Sequence, residues 1–415
     1  MNLGLRIALL AAAAWLLTGF AAPGRAIDWP KAPRDLSSSA ELVAASAQFP
    51  NSSNLARRQL GAALAAGDAA AARDAAGRLA AMGGTLSAAS RAKVADLAGA
   101  APIAALAPLF EANAAPLLAS RLFTTIPVDQ PLIEGLIWEP VSRRLYAASV
   151  VGRRLLVLDG RGGARVVAQG GLGSLLGGAW DPVRRRIWLA SAVIEETPKD
   201  GASFNGLVGV DPRKPGAPLL VPAPAGAALG DVAAAPDGTL YASDGLSGGV
   251  YLCRPGCTRL ETWIAPGLLF SAQGMAPSAD GKWLYVADYR DGLAAVERAS
   301  GRVIRVTAPP SMMLDGIDGL VRRGRDLIAV QNGIAVPRIV RLRLSADGLA
   351  IAKLDVLERA NPGWGEPTLA TLDGDRLLYV ADPQWDRYGA GGVPVAGKPA
   401  HPTPIRVIDL GGHAR

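Results

Sequence analysis

The amino-acid sequence predicts an all-β six-bladed propeller over residues 119–415. A small α-helical domain over 38–117 and an N-terminal signal peptide over 1–26 precede it. Three observations carry this reading. A strand motif of the form Leu/Ile–aromatic–x–Ala recurs five times with small variations and once in degenerate form, the sequence switches from Ala/Leu-rich to strand-like near residue 119, and the first 26 residues have the layout of an export signal.

The signal comes first in the chain. Arg6 supplies a positive start, Ile7 to Phe20 form an apolar stretch, and Ala21, Ala22, Gly24 and Ala26 are the small residues a signal peptidase needs. The apolar stretch is short for a membrane span. The mature protein is therefore expected in the periplasm or secreted, touching a membrane only through an uncleaved signal. Export permits disulfides. Cys253 and Cys257, the only cysteines, flank Arg-Pro-Gly, a turn between apolar strand residues, and are read as a disulfide across a hairpin tip.

Residues 27–37 are polar and Pro-containing and read as a linker. From 38 to 117, Ala and Leu dominate. Asn54–Ala66 and Ala69–Met82 are helix-forming stretches joined by Gly67-Asp68, and Gly83-Gly84 stops the second. Ser87–Leu97 reads as a third helix, and Pro102, Pro108 and Pro116 break up the remainder of this region. The expected role is a cap packed on the next domain, with docking of a protein partner as the alternative.

The repeat is the decisive feature. Its copies are Leu145-Tyr-Ala-Ala-Ser149, Ile187-Trp-Leu-Ala-Ser191, Leu240-Tyr-Ala-Ser-Asp244, Leu284-Tyr-Val-Ala-Asp288, the degenerate Leu327-Ile-Ala-Val-Gln331, and Leu378-Tyr-Val-Ala-Asp382. Their first residues are 42, 53, 44, 43 and 51 apart, the spacing of propeller blades at about 40–50 residues. An apolar strand opening on a Gly precedes most copies and another strand follows each, so the unit is a meander. Arg121–Val128 is expected to close the ring as the missing outer strand. Tyr146, Trp188, Tyr241, Tyr285 and Tyr379 read as packing between blades.

Composition narrows the chemistry. The net charge is +7, but the basic residues are scattered; Arg184-Arg185-Arg186 and Arg322-Arg323-Gly324-Arg325 fall at predicted turns. This is not the clustered basic face of a nucleic-acid binder. The only histidines are His401, in a late loop, and His413, in the tail. A His base or His metal ligand from the first five repeats is thereby excluded.

The residue beside the Gly that opens each inner strand is mostly an oxygen donor: Glu134-Gly135, Gly230-Asp231, Gln273-Gly274, Asp318-Gly319 with Asp315-Gly316 just before, and Gly365-Glu366. The second repeat offers only Gly177-Gly178. Inner strands line the central channel, so these groups converge at one mouth. Carboxylates and an amide there suit a divalent cation with oxygen ligands, Ca²⁺ above all. Turn chemistry, with each carboxylate accepting backbone N–H bonds, is the competing reading. The Asp residues ending the middle strands, Asp244, Asp288 and Asp382, read as loop caps. Trp364, Gln384 and Trp385 lie in longer loops of the last repeat, where they border a pocket or simply pack.

Glu134-Gly-Leu-Ile-Trp138, Gln273-Gly-Met-Ala-Pro-Ser-Ala-Asp-Gly-Lys-Trp-Leu-Tyr285-Val-Ala-Asp288 and Asp318-Gly319 resemble the inner-strand motifs of the gluconolactonase/regucalcin/strictosidine-synthase-like six-bladed propellers. The resemblance spans all six repeats. It implies metal ligation by Glu134, Gln273 and Asp318, with Asp231 at the metal site or substrate; Glu366, from the inner-strand pattern alone, is read as a further contact to a small-molecule substrate. Gln273 and Gly230 stand where the lactonase pattern has Asn. The implied activity is metal-dependent hydrolysis of a small lactone or ester, Asp318 (alternatively Asp315) acting as general base. A non-catalytic binding or scaffold propeller is the alternative. Quinone-dependent sugar dehydrogenation, a third activity of such rings, uses a His base that no inner strand here supplies.

Overall fold

The computed structural model describes residues 26–31, 36, 38–214 and 216–411. The expected signal over 1–26 and His413 thus lie almost wholly outside the described residues. Among these, no helix is long and apolar enough to cross a membrane.

Five helices come first: α1 (Ser39–Gln48), α2 (Ser53–Ala66), α3 (Ala69–Ala81), α4 (Ala88–Ala98) and α5 (Ala100–Ala114). Local chemistry sets their ends. Ser38 and Glu41 form a capping box on α1, and Ser52, Asp68 and Ser87 accept backbone N–H bonds at the starts of α2, α3 and α4. Gly67 ends α2 in the left-handed conformation. Two expectations are corrected here. The prolines do not break the segment after residue 100. Pro102 sits in the first turn of α5, where its missing N–H has no intrahelical partner anyway, and Pro108 is carried inside because Ile103 and Phe110 are buried in the helical core. The start of the expected linker is structured, since Ile27–Asp28 pairs antiparallel with Val303–Arg305 as an added edge strand and Trp29 is buried.

The rest is a propeller-like β fold of six sheets, each beginning at an inner strand and meandering outward. The inner strands are Ile133–Glu139, Ser174–Asp181, Leu229–Ala234, Ala272–Pro277, Ile317–Arg323 and Ala370–Asp373. Each packs on the next, and the sixth packs on the first, so the sheets form a closed cycle. Arg121–Ile126 pairs with Thr403–Asp409 as the outer strand of the sixth sheet, joining the start of the ring to its end, as the repeat count requires. The six repeat motifs form the middle strands, and their five aromatic side chains are buried at 0–3% exposure between sheets. Cys253 and Cys257 are bonded at the tip between Val250–Cys253 and Glu261–Ile264.

The helical region is seated on the ring. Trp29, Leu42, Phe49 and Leu55 share one apolar core with Met275, Leu284 and Val296. Ser52 Oγ donates to the Arg290 carbonyl at 2.6 Å, and Asn51 Nδ2 donates to the Pro309 and Met312 carbonyls at 2.8 and 2.7 Å.

Candidate functional site

The inner strands are not regular at their first residues. Pairing with the middle strand slips between Ile133 and Gly135, Leu175 and Gly178, Leu229 and Asp231, Ala272 and Met275, and Ile317 and Leu320. Such bulges re-aim side chains, and these slips contain Glu134, Gln273 and Asp318. The neighbouring glycines answer a different need. A Cβ on Gly135 would lie 2.2 Å from the Leu176 carbonyl oxygen, and one on Gly274 2.4 Å from that of Asp318. Only a residue without a side chain lets adjacent inner strands approach this closely. At Gly135, Gly274 and Gly319 the motif is thus one device with two parts: the Gly packs on the next sheet, and the polar residue beside it borders the mouth.

At this mouth lies a cavity of about 220 Å³. Glu134, Asp231, Gln273, Asp318 and Glu366 all border it, together with Leu176, Gly230, Tyr289, Asn332, Thr368, Leu369 and Trp385. Four carboxylates thus share one small volume, and no Lys, Arg or His is among its lining residues. The second sheet contributes Leu176 alone to the lining, and its Gly177 packs against Asp231, where a Cβ would fall 2.1 Å from Oδ1. A larger cavity of about 480 Å³ opens at the other end of the ring between Trp138, Trp180 and Met275. Asp231 and Leu369 border both.

Hydrogen bonds hold the mouth groups in place. The Trp385 indole N–H donates to Glu134 Oε2 at 2.8 Å, Asn332 Nδ2 to Asp318 Oδ2 at 2.7 Å, and Gln273 Nε2 to Ser271 Oγ at 3.0 Å. Asp231 Oδ1 accepts from the Val232 N–H at 2.8 Å. The carboxyls resist ionisation. Burial, then the charge of Asp318, pushes Glu134 well above the usual carboxylate range. Burial raises Asp318 to about 6, with Glu366 adding to it, and raises Asp231 to about 7, opposed by the Val232 N–H. Burial also raises Glu366, followed by the charge of Asp382.

Asp315 is corrected: it does not border this cavity. Its buried Oδ2 accepts from the Asn54 N–H at 2.7 Å and Ser53 Oγ at 3.0 Å, at the N-terminus of α2. Burial pushes this carboxyl above the usual range, opposed by the Ser53 and Asn54 N–H groups at the helix start. It fastens the helices to the ring. Asp315→Ala is expected to cost ~2–3 kcal/mol of stability and to expose the connection at 115–120 to proteolysis. Thermal denaturation and protease digestion at equal occupancy of the fold measure both.

Asp244 and Asp288 cap loops. Asp244 accepts from the Leu246, Ser247 and Ala228 N–H groups, and Asp288 from those of Arg290, Asp291 and Phe270. Asp382 accepts from the Gln384 N–H and lies 3.0 Å from His401 Nε2. His401 does not border the cavity. Trp364 packs on Tyr379, and Gln384 is buried against His401 and Thr403, whereas Trp385 reaches the site.

Tyr289, Asn332 and Thr368 were not legible as site residues from inner-strand motifs. A signal existed for two of them. Tyr289 and Asn332 each stand one residue past a repeat motif, where the middle strand emerges at the mouth. The other four such positions hold Val150, Ala192, Gly245 and Pro383.

The donor set suits a hard divalent cation in charge and atom type: oxygens only, several anionic, none neutralised by a cationic lining residue. Among the described residues no three His, Cys, Asp or Glu side chains cluster closely enough to hold a metal ion by themselves. A cation here would therefore draw on the Gln273 amide and on water as well.

No family model matches the chain, and no curated protein matches it. Among solved structures, the chain is similar to a gluconolactonase from Xanthomonas campestris (18% identity, 70% of this chain and 95% of that one, TM-score 0.47). It is similar to a calcium-binding regucalcin from Agrobacterium tumefaciens (18%, 71% and 97%, TM-score 0.46). A PQQ-bound aldose sugar dehydrogenase from Streptomyces coelicolor matches with 18% identity over 71% of this chain and 99% of that one, at TM-score 0.48. In its strand motifs and in these comparisons the chain is similar to gluconolactonase- and regucalcin-like propellers.

Proposed function

We propose that this protein is an exported, six-bladed propeller that binds a divalent cation, Ca²⁺ above all, and hydrolyses a small lactone or ester at the acidic mouth. One observation carries the reading: four carboxylates share one cavity of about 220 Å³ without a cationic side chain to balance them. Crowding of that many acids in one volume, with Glu134 buried, Asp231 and Asp318 part-buried and Glu366 exposed, disfavours their ionisation, and a cation is the partner that removes the penalty.

Glu134, Asp318 and the Gln273 carbonyl oxygen are the ligands this reading assigns. When bound, the cation supplies positive charge to polarise the substrate carbonyl. The remaining work falls to the chain. The Trp385 N–H keeps Glu134 turned into the cavity. Asp318, placed at the mouth, is the carboxylate that takes a proton from the attacking water. Leu176, Leu369 and Trp385 offer apolar contact to a ring, while Asp231 and Glu366 accept hydrogen bonds from its hydroxyls. The volume is below the ~300–1,000 Å³ of drug-sized sites, so the substrate is small.

Calorimetric titration of Ca²⁺ into metal-stripped protein tests this. Saturable binding by the wild type, lost in both Glu134→Gln and Asp318→Asn, supports the site; turnover of aldonolactones or aryl esters that falls at least ~100-fold in Asp318→Asn supports the reaction. A wild type that binds no divalent cation sinks the proposal and leaves a binding or scaffold propeller, with its helices free to dock a partner.

A further inference from the structure

Asp318 is held by a chain of side chains that begins on another sheet. Tyr289, just past the middle strand of the fourth sheet, donates from its hydroxyl to Asn332 Oδ1 at 2.8 Å. Asn332, at the same position of the fifth sheet and 9% exposed, donates from Nδ2 to Asp318 Oδ2 at 2.7 Å. All three border the mouth cavity.

The polarity of the chain comes from what each group can do. In its ionised form Asp318 only accepts, and in that state the amide turns Nδ2 toward it. Its Oδ1 then faces Tyr289, whose hydroxyl must donate. The backbone stiffens this arrangement. The Tyr289 N–H donates to the Ser271 carbonyl at 2.9 Å, the Gly316 N–H to that of Tyr289 at 2.8 Å, and the Gly333 N–H to that of Gly316 at 3.2 Å. The Tyr289 ring lies against Gly333, where a Cβ would come within 2.5 Å of its Cζ. Three mouth loops are thus stitched together under one ring, and Asn332 has little freedom to rotate away.

We propose that Asn332, locked by Tyr289, is a positioning residue for Asp318. It engages Oδ2 and so fixes the rotation of the carboxylate, with Oδ1 as the oxygen left for the cavity. Preorganisation of this kind matters most where a carboxylate must meet a cation and water in one geometry. The role at the cation rests on the function proposed above; the hydrogen-bonded chain does not.

Double-mutant cycles test it. In Ca²⁺ titrations of the full chain, Asn332→Leu is expected to weaken binding about tenfold or more and Tyr289→Phe about threefold, as losses of bonds to and behind a charged group. The double variant should bind no more weakly than Asn332→Leu alone, because Tyr289 acts only through the amide. Losses that multiply overturn the locking role, and an Asn332→Leu protein with wild-type affinity overturns the positioning role. Asn332→Ser replaces Asn332→Leu if the latter does not fold. A wild type without cation affinity would refute the proposed function, and the chain is then judged on thermal stability of the metal-free protein. Destabilisation by Asn332→Leu that vanishes in an Asp318→Ala background supports it; destabilisation that persists there overturns it.

Discussion

Gly274→Ala is expected to be among the most damaging single substitutions in the ring, costing about 3 kcal/mol or more. The added methyl would sit 2.4 Å from the Asp318 carbonyl oxygen and 2.5 Å from the Leu320 nitrogen. Both are backbone atoms of the adjacent inner strand, so no side chain can swing aside to make room. The sheets would have to separate at the axis, in a closed cycle where one gap is passed to every neighbour. Chemical denaturation should show a lower midpoint with an unchanged slope. The contrast is Gly230→Ala, in the same kind of motif, whose Cβ would meet nothing closer than the Ser243 carbonyl oxygen at 4.0 Å. It should cost far less. Equal losses at 230 and 274 would refute the close-approach argument.

The second large effect is a dependence of stability on pH that a cation reverses. Asp231 is raised from 3.8 to about 7 and Asp318 from 3.8 to about 6. In each case the folded state holds its proton more tightly than the unfolded state does. Below pH 4 both states are protonated and nothing is lost. Between pH 4 and 7 the unfolded chain releases protons that the folded protein keeps, so stability falls as pH rises, and it levels off above 7. For Asp231 alone, a shift of this size corresponds to roughly 4 kcal/mol as an upper figure. The metal-free protein should therefore melt at a lower temperature at pH 8 than at pH 5. Asp231→Asn, which keeps an acceptor for the Val232 N–H, should flatten that slope and stabilise the metal-free protein at pH 8. Added Ca²⁺ should raise the melting temperature at pH 8, where carboxylates are free to bind it, and do little at pH 5. Melting curves at the two pH values, with and without Ca²⁺, are the measurement. A metal-free protein whose stability rises from pH 5 to pH 8 contradicts the burial of these acids.

The two expectations concern one architecture seen from two sides. Glycines bring the inner strands together, and that closeness buries the acids beside them. Gly274 and Asp318 belong to adjacent strands and touch through their backbones. The stability that the mouth gives up by crowding carboxylates is recovered elsewhere in the ring, in the apolar layers between sheets. Asp315 is a further buried acid of this loop. Three residues from Asp318, it binds the start of α2 and so ties the helices to the loop that carries the site.

Much of this was readable from the chain. The sixfold motif spaced at about 47 residues exists because each middle strand needs the same buried pattern, with one aromatic between sheets. Periodicity of that kind is a local property, and so are helix breaks such as Gly67-Asp68 and Gly83-Gly84. They set the end of α2 and both ends of α3 to within a residue or two. The inner-strand donors Glu134, Asp231, Gln273 and Asp318 were legible because each sits beside a Gly at a fixed place in a repeat. Where local reasoning failed, long-range packing had overruled it. Pro108 stays inside α5 because Phe110 and Ile103 are held by the other helices. Ile27–Asp28 becomes a strand only because the outer edge of the fourth sheet, more than 270 residues later, is there to pair with it.

What the sequence by itself determined is the ring: six copies of one meander, a closing strand from before the first copy, and a set of oxygen donors aimed at the axis. Only the tertiary structure decided which donors share a cavity. Asp315 and Asp318 look alike in the chain, each followed by Gly, yet one meets a helix N-terminus and the other the mouth. Tyr289, Asn332 and Trp385 reach the site from loops whose course depends on neighbouring sheets. The physical reason is that a repeat specifies the direction a residue takes from its own strand. Its partners come from other strands, and closing the ring is what sets them at hydrogen-bonding distance.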